Sequence, residues 1–147
     1  MPILRCHLDH TGPIINAAVG VSGPRAVALQ KAGLALPGPV IIRALLDTGA
    51  SCTCVDPTVI RKLGLTPSGT AQVHTPSTGG TPHNCNQFDI ALYVIMDGNQ
   101  VHVPSVIIPV IESDLNQQGI QALIGRDILN QSVLHYDGPQ RSVSLAF

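Results

Sequence analysis

The sequence predicts an all-β domain, a small closed β barrel or sandwich with one or two short helices, on three observations. Twelve prolines and fourteen glycines cut the 147 residues into short pieces, which favours strands and turns over long helices. Phe88, Ile90, Leu92, Val94 and Met96 alternate with Asp89, Ala91, Tyr93 and Ile95, the period of two that marks a half-buried strand. Apolar runs also stop at turn signals, as Val40 to Leu46 does before Asp47-Thr48-Gly49. With 44% hydrophobic and 12% charged residues the chain can bury a core. Its length suits one domain over residues 1–147.

Taken in order, Ile3 to Leu8 reads as a first strand with poor alternation, and Ile14 to Val21 as a clearer one. Residues 24–38 read either as a short helix by propensity or as an insertion loop. Val40 to Leu46 is a strand that delivers Asp47 to a loop. Asp56-Pro57 supplies a helix cap and first helical position, Val59, Ile60 and Leu63 share one face, and Gly64 is the stop. Residues 71–87 are polar, with Gly79-Gly80 near the middle, and read as an exposed hairpin. The strand at 88–96 turns at Asp97-Gly98-Asn99 and returns through Val101 to Val103. Pro104 and Pro109 bracket Val106 to Val110, which places that strand at an edge or gives it a late start. Ser132 to Tyr136 and Ser142 to Leu145 form a final hairpin around Asp137-Gly138.

Several functional classes are disfavoured. A net charge of −1 and 3% aromatic residues leave no basic stripe and no stacking platform for nucleic acid. Arg5, His7, Asp9 and His10 interrupt the early apolar residues, so no leader is expected, and no run approaches the ~18 apolar residues that span a bilayer. The sequence thus reads as cytoplasmic. Cys6, Cys52, Cys54 and Cys85 do not make a disulfide framework. Neither Cys52/Cys54 nor His83/Cys85 has the spacing of structural zinc ligands, so no metal and no cofactor are expected and the cysteines read as free thiols.

Asp47 carries the chemistry. A carboxylate where a buried strand opens into a loop is fixed in place and partly desolvated, the conditions that suit acid and base work. Asp-Thr-Gly alone decides little, since it arises by chance in roughly 3% of chains this long. A second segment, Ala122-Leu123-Ile124-Gly125-Arg126-Asp127-Ile128-Leu129, again runs an apolar strand into a glycine turn and a short helix.

The order of these segments resembles the retropepsin family, the single-domain aspartic proteases of retroviruses and retrotransposons with relatives in cellular genomes. Leu46-Asp47-Thr48-Gly49-Ala50 comes first, a Gly79-Gly80 hairpin lies midway, and Ile124-Gly125-Arg126-Asp127 follows. The resemblance implies a fold of the acid-protease type and an aspartic endopeptidase acting on a peptide or protein substrate. That chemistry needs two carboxylates sharing a proton across a water. The chain has one such loop, because Asp97-Gly98 and Asp137-Gly138 lack the intervening hydroxyl residue. A homodimer with a two-fold axis between two Asp47 side chains would complete the site.

Other roles follow from the same resemblance. The Thr48 hydroxyl would bond across the dimer axis, while Gly49 allows a tight turn and Ala50 and Ser51 would line the groove floor. Thr78, Gly79 and Gly80 would contact substrate from a flap at 71–87, although two flanking prolines depart from the family's commoner composition. Residues 24–38 would be an insertion where retropepsins have a tight connection. In viral members the arginine matching Arg126 pairs with an acid at the position of Ser51; that acid is absent, so Arg126 is expected to support the site through Asp127, a carbonyl or the other subunit. The dimer contacts could be terminal strands, as in viral members, for which the apolar tail Val143 to Phe147 is suited, or a helical or flap-side surface. The alternative is a catalytically idle retropepsin-like module for dimerisation or peptide binding.

Overall fold

The computed structural model describes residues 1–74 and 79–147. Among these, ten strands, three short α-helices and two single-turn 3-10 helices are present: β1 Ile3–His7, β2 Ile14–Val21, α1 Gly23–Lys31, β3 Val40–Leu46, β4 Cys54–Val55 and α2 Pro57–Lys62. They continue with β5 Gly69–Val73, β6 His83–Ile95, β7 Val101–Glu112, β8 Ala122–Ile124, α3 Arg126–Leu129, β9 Val133–Asp137 and β10 Ser142–Ala146.

Six strands close a barrel in the order β2-β3-β8-β4-β7-β6, with β6 returning to β2. Closure depends on the length of β6. Its Ile90 to Val94 pair with β2, whereas His83 to Gln87, on the same edge, pair with β5. The β5–β6 hairpin therefore projects beyond the barrel. Most neighbours are antiparallel, but β8 runs parallel to β3 and antiparallel to β4. That arrangement places the end of β8 beneath the loop joining β3 to β4.

Alternation decides what the barrel encloses. Ile42, Ala44 and Leu46 on β3 are buried while Ile41 and Arg43 are exposed, and Ile90, Leu92 and Val94 fill the interior from β6. A second, three-stranded sheet in the order β1-β10-β9 adds Val143 and Leu145 to the same core. Here the structure corrects the reading of the apolar tail. β10 is flanked on both edges by β1 and β9, so its apolar side chains are consumed within the chain and it has no edge to offer a second copy. Phe147, just beyond, stacks on the His102 ring at 4.4 Å.

The prolines of β7 do not divide it. The strand runs from Val101 to Glu112 with two register shifts against β6, one between Ile108 and Ser105 and one between Ser105 and His102 that takes in Pro104, and β4 pairs with it only at Ile111 and Glu112. From Val101 to Val110 it is ladder-bonded to β6 alone, so its prolines interrupt no two-sided ladder. Residues 24–38 contain a real helix. Ser22 caps α1 by accepting from the Arg25 N–H, Pro24 opens it and Gly33 ends it at φ +68°. None of its residues is buried, which is why no apolar stripe announced it.

α2 is anchored by its cap. Asp56 is 1% exposed; one carboxylate oxygen accepts from the Thr58 N–H and hydroxyl, the other from the N–H groups of Leu115 and Asn116. Burial pushes the Asp56 pKa up, but the Thr58, Leu115 and Asn116 donors outweigh it and hold the carboxyl below its ordinary value. Asp56→Ala should destabilise the fold by about 3 kcal/mol, read by chemical denaturation, because it removes a cap and orphans two distant N–H groups. The Asp56 contribution should be fully present above the unfolded value near ~3.9 and fade as pH falls through the lower folded value. A variant that lost no stability at neutral pH would refute this role.

Candidate active site

The ladder between β3 and β8 extends one residue past β3, with the Asp47 N–H donating to the Ile124 carbonyl at 2.9 Å. The chain then turns sharply. Ala50 N–H donates to the Asp47 carbonyl at 3.2 Å, and Gly49 N–H donates to the Asp47 carboxylate at 2.9 Å. A Cβ on Gly49 would lie 3.1 Å from that carboxylate oxygen, a tight approach that would press on the Asp47 side chain. Asp47 is half-buried, whereas Thr48 and Gly49 are exposed.

The start of α3 braces this loop from below. Arg126 N–H donates to the Ala50 carbonyl at 2.9 Å, and the Arg126 guanidinium donates to the Thr48 carbonyl at 2.8 Å. Of the partners open to Arg126, the structure selects a carbonyl. Asp127 is engaged elsewhere: its carboxylate accepts from the N–H and hydroxyl of Thr53 at 2.9 and 2.8 Å, and from Ile128 N–H at 3.0 Å. The Thr53 hydroxyl oxygen in turn accepts from Gly125 N–H at 3.2 Å. Thr53 is wholly buried. Gly125 has no alternative at this crossing, because a Cβ there would lie 2.7 Å from the Cys52 carbonyl carbon and oxygen.

Above the loop lies a cleft of about 550 Å³. Asp47, Ala50 and Ser51 form part of its wall, Val73 and His83 reach it from the β5–β6 hairpin, and Ile111 from β7. Gly49 also lines it, but Gly79 and Gly80 do not; they sit in the exposed turn of the hairpin, with Gly79 at φ +61°. Thr78 lies outside the described residues. Arg126 touches the loop rather than the cleft.

Two features of the site escaped the sequence. The Thr53–Asp127 clasp joins residues far apart in the chain, and only the polar Thr53 amid an otherwise apolar β4 approach hinted at it. Cys52, Cys54 and Cys85 are all free and all line the cleft. Burial pushes the Cys54 thiol up to about 12 and raises the Cys52 thiol as well, so both remain protonated at neutral pH. Among the described residues, no group of three His, Cys, Asp or Glu side chains is placed to hold a metal ion.

Residues 36–128, which include the Asp47 loop and the Gly125-Arg126-Asp127 turn, match the family model described as aspartyl protease. The chain belongs to the aspartyl protease family. No curated protein matches it. Over 99% of this chain and 90% of the other, the aspartyl protease is similar to the crystal structure of a retropepsin-like aspartic protease from Rickettsia conorii, at a TM-score of 0.59 and 15% identity. Its fold is therefore retropepsin-like. No helix among the described residues is long and apolar enough to cross a membrane.

In this member of the family the bracing of the loop divides unequally between neighbours. Asp127→Ala should cost about 3 kcal/mol, because it strands the Thr53 N–H and hydroxyl in the interior. Arg126→Ala should cost about 1 kcal/mol, since the guanidinium is exposed and bonds one carbonyl. Thermal or urea unfolding of the two variants checks the order, and a larger loss for Arg126→Ala would overturn it.

Proposed function

We propose that the chain is an aspartic endopeptidase that acts as a homodimer, with one Asp47 from each copy. The observation that carries this reading is the single Asp47 carboxylate, fixed by Gly49 N–H on a half-open cleft within a loop whose tip is exposed. One carboxylate offers a base or an acid, and peptide hydrolysis through an activated water needs both at once. A second copy related by a two-fold axis supplies the other without any further residue type.

In the dimer one Asp47 is ionised and draws a proton from the water, while its protonated twin polarises the scissile carbonyl. Thr48 and Gly49, exposed in the single chain, face their equivalents, and the Thr48 hydroxyl bonds across the axis. Peptide lies in the cleft against Ala50 and Ser51. The β5–β6 hairpin acts as the flap, because it extends past the barrel and its stem residues Val73, His74 and His83 line the cleft. Gly79, Gly80 and Thr78 then reach substrate only when the hairpin closes. The chain binds no nucleic acid and works in the cytoplasm in this reading.

Asp47→Asn should lower peptide cleavage by roughly a thousandfold or more while sedimentation still shows the assembled dimer. Undiminished proteolysis by this variant would remove Asp47 from the mechanism; a wild-type dimer that binds peptide without cleaving it would favour the idle module instead. Specific activity should also fall on dilution as copies separate. A dilute monomer with undiminished turnover would contradict the shared site.

A further inference from the structure

The cleft that holds Asp47 has a second carboxylate on its wall. Glu112 closes β7, and β4 clamps the backbone on either side of it: Ile111 N–H donates to the Thr53 carbonyl at 3.2 Å and Ser113 N–H to the Val55 carbonyl at 3.0 Å. Glu112 lines the cleft, and it also lines a smaller hollow of about 280 Å³ beside it. His83, Cys85 and Ser113 belong to both openings, so the hollow continues the cleft.

Glu112 is half-buried, and among the described residues its side chain makes no hydrogen bond and no ion pair. The carboxylates of Asp47, Asp56 and Asp127, by contrast, each accept from N–H groups of the chain itself. Among the described residues no lysine or arginine lines the cleft or the hollow, while Asp114 adds a further acid to the hollow. A half-buried carboxylate without a donor has lost part of its hydration and gained nothing in return, so a cation brought by a ligand is favoured there. Such a cation displaces no lysine or arginine of the chain. Asp47 on the same wall gives the opening the same sign of charge.

We propose that Glu112 is a specificity-determining residue, which selects peptide substrates carrying a lysine or arginine side chain a few residues from the scissile bond. The selection of a substrate rests on the endopeptidase reading, whereas the hold on a basic side chain does not. β3, which delivers Asp47, is separated from β7 in the barrel by β8 and β4. Three strand spacings of about 4.8 Å make roughly 14 Å, the span of about four residues of extended peptide. The basic residue therefore lies roughly three to five positions from the bond that is cut. Its apolar stem runs along Cys54 and Ile111 while the charged end reaches Glu112. In the homodimer a two-fold axis repeats Glu112, so a basic residue on either side of the bond meets one copy. An acidic residue at the same position meets like charge and is rejected.

The test gives the full-length chain a set of decapeptides with an apolar centre, in which each flanking position carries in turn lysine, norleucine or glutamate. At one of those positions the lysyl peptide should exceed the norleucyl one in kcat/KM by roughly fivefold or more, chiefly through KM, with the glutamyl peptide poorest. The preference should shrink as salt is raised, because the cleft is open to solvent. In Glu112→Gln the lysyl-to-norleucyl ratio should fall to near unity whatever the basal rate, and in Glu112→Lys the glutamyl peptide should become the better one. A wild type indifferent to lysine at every position, or a preference that survives in Glu112→Gln, overturns the proposal. Binding of the same peptides, read by fluorescence anisotropy, separates the two readings. A protein that cleaves nothing, yet binds the lysyl peptide more tightly and loses that difference in Glu112→Gln, would sink the endopeptidase reading and leave the role of Glu112 standing; equal binding without cleavage would sink both.

Discussion

The carboxylate of Asp127 grips Thr53 by both its N–H and its hydroxyl, and the position of Asp47 depends on that grip. β8 lies between β3 and β4, so the loop that carries Asp47 must pass over the point where β8 becomes α3. Two chain segments cross there in direct contact, with room at Gly125 for a hydrogen and for nothing larger. Buried polar groups at such a crossing have to be satisfied by each other. Thr53 and Asp127 do this, and Arg126 then secures the exposed part of the loop through the Thr48 carbonyl.

What was legible in the sequence was mostly local. The β2 and β3 boundaries follow from apolar runs that stop at turn residues, and the start of α2 from Asp56-Pro57, because cap, φ restriction and periodicity all act within a few residues. The place of Asp47 just past the end of β3 was legible for the same reason, whereas its candidacy for the site drew on the distant Ile124-Gly125-Arg126-Asp127 segment. The Thr53–Asp127 clasp, the thiols on the cleft wall and the continuity of β7 through two prolines were not, since each depends on which strand lies alongside. Pro104 and Pro109 left an edge position and a late start both open, and the pairing with β6 alone selects the edge. The tail failed differently. Its apolar residues signalled burial correctly, but burial has no address, and Val143 and Leu145 find their place against the chain's own core.

The long strand β6 joins fold to function in one element. Its second half closes the barrel against β2 and β7, and its first half leaves the barrel to pair with β5. The stem of this hairpin is tied to the core through β6, while Gly79 and Gly80 are solvent-exposed. Residues near the stem, His83 and Cys85 among them, thus face the cleft whatever the turn does.

The same economy bears on assembly. The Asp47 loop is already held from within by Ile124, Gly49, Arg126 and Asp127, so a partner is not needed to order it. Only its tip, Thr48 and Gly49, is left exposed. In the homodimer reading, association therefore adds a second carboxylate to a preformed half-site, and little ordering entropy opposes it. In that reading the interface comes from surfaces other than the edges of β10, which are both filled; the outer edges of β1 and β9, the open edge of β7 and the loop tip are all available. In that reading, internal bracing and external completion divide the work, and a folded but inert single copy stands in equilibrium with an active pair.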